Sequence, residues 1–460
     1  MLKPLMRRFP RLHMIGIEGS GMSGLAEVLA GAGFKVTGSD LTENETGARL
    51  RSLGIPTFIG HSAELVNNAD LVVYSSAVRE DNVELRAARE QGLPVITRAE
   101  MLGELMRVKE GIGIAGTHGK TTITSLVGET LTAAGFNPTV IVGGRLKQRG
   151  SGVMAGGNEI LVVEADEYDR SFLRLTPAVA LISNIDYDHI ECYGSLDELK
   201  NAFLTFAHAT PFYGRVILCI DEPSLQELKP HIKRLTVTYG FSEQAEVRAV
   251  NARYEGSRSE FEVWVGGKFQ GLVKSALPGR HNVQNAVGAL AVGLELGADF
   301  KAMSKALENF GGIYRRFEIQ GEANGIMVVD DFAHHPAEIN ATLNAARSGW
   351  NRRIVAVFQP HLYSRTRDLA EQFAQALSAA EIAVVLPIYP AREDPIEGVS
   401  SKLIYDQALA LGHQNIHYLE EKSQCVDYVK SLARSGDMVI VLGAGDVYHL
   451  APQILAGFRL

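Results

Sequence analysis

Apolar residues fall along this chain in short runs, each followed by polar sequence of helical length. HMIGI, FKVTGSD, LVVYSSA (Leu71–Ala77) and PVIT (Pro94–Thr97) are the first runs, and the alternation they set up is that of successive βα units. A second series opens with GIGIA and continues through EILVVEADEYD and AVALISNIDYDH. Next comes a charged stretch of alternating polarity, EVRAVNARY and EFEVWVGGKFQGLVKSAL, which predicts antiparallel strands. A third series, GIMVVDD, RRIVAVFQPH, EIAVVLPIYPARED and DMVIVLGAGD, predicts another mostly parallel sheet. The expected fold is therefore α/β in three domains: a Rossmann-like block over 1–108, a P-loop ATPase-type block over 109–313, and a second Rossmann-like block over 314–460.

Composition narrows the class. Hydrophobic residues are 46 % and charged residues 21 % of 460, ordinary for chains with buried cores. No apolar stretch reaches the ~18 residues that span a bilayer, so no membrane insertion is expected. The three cysteines, Cys192, Cys219 and Cys425, are far apart and form no disulfide or zinc pattern. With no secretory segment at the start, they predict a cytoplasmic protein. A net charge of −8 argues against a nucleic-acid partner.

Two glycine loops carry the candidate chemistry. Gly19, Gly21 and Gly24 form G-x-G-x-x-G between a strand and a helix, with Asp40 at the end of the next strand. Such a loop lets backbone N–H groups approach a pyrophosphate at the positive end of a helix. A dinucleotide, the pyrophosphate of a UDP-sugar and a plain glycine turn all satisfy it. The second loop reads G-T-H-G-K-T-T, from Gly116 to Thr122, behind the strand GIGIA. The strict phosphate-loop spacing would place a glycine at 114, where this chain has Ile114; its glycines fall at 113 and 116. Gly116 and Gly119 open the backbone around phosphate oxygens, Lys120 supplies a point charge, and the Thr121 hydroxyl can reach Mg2+. Glu164, with Asp166, Glu167 and Asp169 close by, ends one apolar run, and His189 follows the next. At the edge carrying Lys120 they read as Mg2+ ligands; each alone also reads as a solvated acid or a core histidine.

These residues resemble the Mur ligase family, ATP-dependent amide-forming enzymes, over essentially the whole chain. The resemblance implies that Gly116, Thr117, His118, Gly119, Lys120, Thr121, Thr122, Asn282 and Asn285 bind ATP. Thr121, Glu164 and His189 would hold Mg2+, and Lys120, His189, Arg316 and Asp331 would serve catalysis. The first loop, with Gly19, Ser20, Gly21, Met22, Ser23 and Asp40, would then hold a UDP-sugar rather than a nicotinamide. Asn282 also reads as a helix cap. GSGMSGLAEVL, DDFAHHPAEI, FQPHLYSRTRD and YPAREDPIEGV resemble the branch that joins L-alanine to UDP-N-acetylmuramate, and a neighbouring branch takes a murein tripeptide. On that likeness His334 and Arg365 receive the amino-acid carboxylate. Many members carry a further arginine directly after the FQPH histidine, where this chain has Leu362.

Two readings of other classes compete. An NAD-linked oxidoreductase built on the first loop leaves Lys120, Glu164 and His189 unexplained. A non-catalytic nucleotide-binding module leaves unexplained the polar residues that end the third-series strands: Asp330, Asp331, His361, Arg365, Arg392 and Asp446. The adjacent pair His334–His335 lacks the spacing of a zinc site.

Overall fold

The computed structural model of the protein describes residues 8–157, 159–186, 190–391 and 393–459. His189, Arg392 and the side chain of Ser20 lie outside the described residues. The first sheet has five strands, β1 (Arg11–Ile15), β2 (Lys35–Asp40), β3 (Thr57–Ile59), β4 (Leu71–Tyr74) and β5 (Val95–Thr97). Their order is 3-2-1-4-5 and every pairing is parallel. The order reverses beside β1, which opens a crevice at the strand C-termini.

The second sheet has ten strands. They are β6 (Glu110–Ala115), β7 (Thr139–Ile141), β8 (Val153–Met154), β9 (Ile160–Glu164), β10 (Val179–Ile182), β11 (Arg215–Cys219), β12 (Thr236–Gly240), β13 (Val247–Glu255), β14 (Arg258–Val265) and β15 (Lys268–Ser275). In the order 15-14-13-12-11-10-6-9-7-8, β6 lies between β10 and β9, and both pairings are parallel. The loops after these three strands therefore meet at one edge. β6, β9 and β10 are almost continuously buried, as strands covered on both faces must be. β13 instead alternates buried and accessible positions. Gly256 opens the turn from β13 to β14, and Gly266 and Gly267 make the turn from β14 to β15; all three have positive φ. Connections of two residues join only antiparallel neighbours.

The third sheet comprises β16 (Glu318–Ala323), β17 (Ile326–Asp331), β18 (Arg353–Phe358), β19 (Ile382–Val385), β20 (Ile416–Tyr418) and β21 (Asp437–Leu442), in the order 16-17-21-18-19-20. β16 is antiparallel to β17 and the other pairings are parallel. Successive residues of β18 feed opposite cores: Ile354, Ala356 and Phe358 pack in one cluster, Val355 and Val357 in the other. β16 and β20 are additions to the four expected strands. EIQGEA and IHY are edge segments without the long apolar run that marks a central strand.

Packing divides the chain into two compact units. One comprises Met1–Asn251, Phe261–Lys274 and Gln284–Gly311; the other comprises Ala252–Glu260, Ser275–Val283 and Gly312–Leu460. The first sheet thus lies wholly in the first unit, and the second lies there except for the end of β13, the start of β14 and the last residue of β15. Among the described residues no helix is long and apolar enough to cross a membrane.

Candidate functional site

Beyond β6 the chain turns through Gly116 (φ 129°) and Gly119 (φ 83°) into the helix Lys120–Ala133. Both glycines are required by space as well as by dihedral angle. A Cβ on Gly116 would lie 2.1 Å from Ser183 Oγ, and one on Gly119 would lie 2.8 Å from Asn285 Oδ1. No side chain caps this helix, so its first N–H groups are left for an anion. The loop is clamped by the segment after β10. Asn184 Oδ1 accepts the His118 N–H (2.7 Å), Ser183 Oγ donates to the His118 carbonyl (2.7 Å), and Thr117 Oγ1 accepts the Asp186 N–H (3.0 Å). The loop shape is thus fixed by the protein alone.

Lys120 donates to the carbonyls of Gly116 (2.8 Å) and Thr117 (3.2 Å) and to Glu167 Oε2 (2.7 Å), with Asp166 Oδ1 at 3.7 Å. Burial alone would lower its pKa; the charges of Glu167 and Asp166 outweigh it and raise the value. The ammonium stays charged. Glu164, at the end of β9, accepts the Gly143 N–H (2.7 Å) on one oxygen and the Thr121 hydroxyl (3.3 Å) on the other. Burial pushes the Glu164 carboxyl up from its ordinary value. A hydroxyl and a carboxylate 3.3 Å apart form a hard-oxygen pair of the type Mg2+ uses.

The first loop is built differently. Gly16 (φ 77°) donates its N–H to the Ser39 carbonyl (2.8 Å), and Gly19 starts the helix Ser20–Gly31 without a side-chain cap. Asp40 ends β2, and its two oxygens accept the N–H groups of Glu18 (2.9 Å) and Leu41 (2.8 Å). Its carboxylate therefore shapes the loop. A Cβ on Gly24 would lie 3.1 Å from Val153 and 3.3 Å from Ile141, so the third glycine lets this helix lie close to the second sheet. Gly19, Gly21 and Met22 line a cavity of about 240 Å³ that Glu164 and Asp166 also line. One hollow thus joins the helix start of the first loop to the acidic edge beside the second.

In the other unit Asp331 accepts the N–H groups of Phe317 (2.6 Å) and Ala333 (2.8 Å), and burial raises its pKa against the pull of Arg316. Arg316 lies 3.6 Å from Glu338 and stacks over Phe332. His334 Nδ1 is 3.1 Å from the Phe332 carbonyl, which only accepts, so the proton sits on Nδ1. Its ring approaches that of His361, with centroids 5.9 Å apart. His335 Nδ1 accepts the Ala337 N–H (3.4 Å) and caps the helix Pro336–Gly349 together with Glu338. Leu362 takes a left-handed φ of 73°, held by its N–H bond to the Tyr389 carbonyl, and leads into the helix Tyr363–Asp368 that carries Arg365. Asn282 donates to the Pro278 carbonyl from within the helix Arg280–Glu295 and is not its cap.

Three family models match the chain in succession: the Mur ligase family catalytic domain over 11–110, the Mur ligase middle domain over 114–293, and the Mur ligase glutamate ligase domain over 315–445. The chain belongs to the Mur ligase family. Within it, the UDP-N-acetylmuramate–L-alanine ligase of Salinibacter ruber is 48 % identical, with 97 % of this chain and 94 % of that protein covered. The corresponding ligase of Geotalea daltonii is 45 % identical over 98 % and 99 % of the two chains. The crystal structure of the UDP-N-acetylmuramate–alanine ligase of Thermotoga maritima superposes with a TM-score of 0.82 at 31 % identity, over 98 % and 99 % of the chains. A murein peptide ligase from Psychrobacter arcticus shares the Mur ligase fold, with a TM-score of 0.71 at 24 % identity and 98 % of each chain covered.

Of the residues expected to bind ATP, Gly116 to Thr122 and Asn285 come together at one edge of the second sheet, with Glu164 beside Thr121. Sequence reading missed the partner of Lys120. Glu167 was one of several acids near β9, and only the fold places it under the ammonium. It also missed Ser183 and Asn184, whose signal was a polar pair directly after a buried strand.

Proposed function

We infer that the protein is an ATP-dependent ligase that joins L-alanine to UDP-N-acetylmuramate, releasing ADP and phosphate. The observation that carries this reading is full-length likeness to ligases of that name, together with a lysine-bearing phosphate loop built around Lys120. The proposed arrangement uses three domains, 1–108, 109–313 and 314–460, for UDP-sugar, ATP and amino acid respectively. A carboxylate is a poor electrophile; phosphorylation converts it to an acyl phosphate that an amine can attack. Lys120 is placed to stabilise charge on the γ-phosphoryl during transfer. Thr121 and Glu164 are the residues that would hold Mg2+, which when bound neutralises phosphate charge; His189 is assigned a metal role on family likeness.

His334, with its proton on Nδ1, and Arg365 are assigned to the amino-acid carboxylate, and Arg316 and Asp331 to the approach of the third block. Leu362 removes one arginine, and a lost charge-assisted bond of ~1.5–3 kcal/mol predicts weak amino-acid binding. A pocket sized for one methyl discriminates poorly against glycine, by about 1–3 kcal/mol. The test is phosphate release with UDP-N-acetylmuramate and each amino acid in turn. L-alanine should be best, with glycine and L-serine weaker. Efficient use of L-alanyl-γ-D-glutamyl-diaminopimelate with free L-alanine inert would overturn the assignment.

A further inference from the structure

The turn after β9 carries a strained backbone beside the phosphate loop. Asp169 and Arg170 follow one another with φ of 59° and 55°, the left-handed region that residues with a side chain avoid. Such a conformation persists only where surrounding contacts hold it. From within the turn, the Arg170 N–H donates to the Glu167 carbonyl (3.0 Å). The Phe172 N–H (3.0 Å) and the Ser171 hydroxyl (2.9 Å) donate to the Asp166 carbonyl. Phe172 anchors the far side, stacked on Phe206 with ring centroids 5.2 Å apart.

A further hold comes from the helix Ile190–Tyr193, in the segment after β10. Tyr193 is 1 % exposed, and its hydroxyl donates to the Glu167 carbonyl (2.5 Å). The Arg170 guanidinium lies over the Tyr193 ring at 4.9 Å, donates from Nε to the Cys192 carbonyl (3.3 Å) and pairs with Glu198 (3.2 Å). The buried Glu167 side chain meanwhile accepts from Lys120 Nζ (2.7 Å). Phenol, Glu167 backbone, Glu167 carboxylate and Lys120 ammonium thus form one chain of contacts from the segment after β10 to the phosphate loop.

Lys120 has three hydrogens to give, and the carbonyls of Gly116 and Thr117 take the other two. A phosphate oxygen has to displace one of the three partners. The bond to the carboxylate is charge-assisted and is the one retained, while the carbonyls are the weaker partners. Glu167 then sets where the ammonium points, and the turn sets where Glu167 stands.

We propose that Tyr193 is a positioning residue for phosphoryl transfer: with Arg170 stacked over its ring, its hydroxyl fixes the strained turn after β9 so that Glu167 holds Lys120 in place. This rests on the reading that Lys120 acts on the γ-phosphoryl.

The test measures phosphate release by the full-length protein with ATP, UDP-N-acetylmuramate and L-alanine, in wild type and in a Glu167→Gln background. Tyr193→Phe keeps the ring under Arg170 and removes only the hydroxyl. In the wild-type background kcat should fall by about 3- to 10-fold, the size of one lost hydrogen bond, with the KM for UDP-N-acetylmuramate unchanged. Arg170→Met loosens the turn from its solvent side and should lower kcat by roughly 2- to 3-fold, which keeps the test open if the buried substitution disturbs folding. In the Glu167→Gln background neither substitution should lower kcat further, because the charge whose position they set is gone. A merely structural tyrosine would cost the same in both backgrounds. Unchanged kcat in both single variants, or equal losses in the two backgrounds, would overturn the proposal. Substantial turnover by Lys120→Ala, or none by wild type, would instead bring down the phosphoryl-transfer reading, and the proposal with it.

Discussion

The two glycine loops of this chain share a design and differ in their charge. Each follows a parallel strand, each starts a helix without a side-chain cap, and each uses glycine where a Cβ would collide. The second loop places its own lysine over two of its own carbonyls and ties it to Glu167, with Thr121 and Glu164 alongside. The first loop has no cation of its own, and Arg98, from the end of another strand, lies against its Gly21. Glycine spacing therefore specifies that an anion can approach. The charged groups around the turn decide whether it is only held or also activated.

The largest effect that tests this contrast is at Lys120. Lys120→Ala should lower kcat by about 10³-fold or more in a coupled ADP assay, the scale of losing a major electrostatic group. UDP-sugar affinity by calorimetry should be nearly unchanged. Substantial residual turnover would erase the distinction between the loops.

Glu167→Gln comes next. It keeps the shape under Lys120 but removes the charge, and kcat should fall by roughly 10- to 100-fold with the KM for the UDP-sugar unaltered. The Lys120 pKa is held up by Glu167 and Asp166 against burial, so the variant should lose activity at lower alkaline pH than wild type. A pH–rate profile checks the shift.

Glu164→Ala should leave the fold intact by circular dichroism and raise the Mg2+ needed for half-maximal activity by about tenfold, a loss of ~1.4 kcal/mol. An unchanged Mg2+ dependence would remove Glu164 from the metal site.

The smallest expected effect lies away from both loops, at Asp330. Burial pushes this carboxyl up to about 7, Arg315 pulling the other way. Its folded pKa exceeds the unfolded one, so the stability it contributes is complete below about 4 and is lost as pH rises through about 7. Asp330→Asn should therefore raise Tm by roughly 2–4 °C at pH 8 and very little at pH 4, measured by thermal melts. Equal shifts at both values would show that the charge is not responsible.

Much of this arrangement was legible in the chain itself. The apolar runs of β6, β9 and β10 were legible as strands, and the alternation of β13 as an antiparallel one; their burial came only with the fold. The core G-T-H-G-K-T-T identified its loop despite Ile114, because Gly116, Gly119 and Lys120 carry the physics. Asp40 was legible as a strand-end acid, but its engagement with two backbone N–H groups was not. Asn282 looked like a cap and instead bonds the carbonyl four residues back, which only the start of its helix at Arg280 decides.

Sequence by itself determined the elements and the turns, because period, glycine placement and apolar runs act between near neighbours. It determined the family for the same reason, since the family motifs are contiguous stretches. Tertiary structure decided which acid among Glu164, Asp166 and Glu167 grips Lys120, since 47 residues separate the lysine from Glu167. It also decided that Asn184, 66 residues from His118, clamps the phosphate loop, and that Gly24 packs on the second sheet. These contacts depend on β6 lying between β9 and β10. Strand order follows from the burial of whole faces at once, a global quantity that no local stretch encodes.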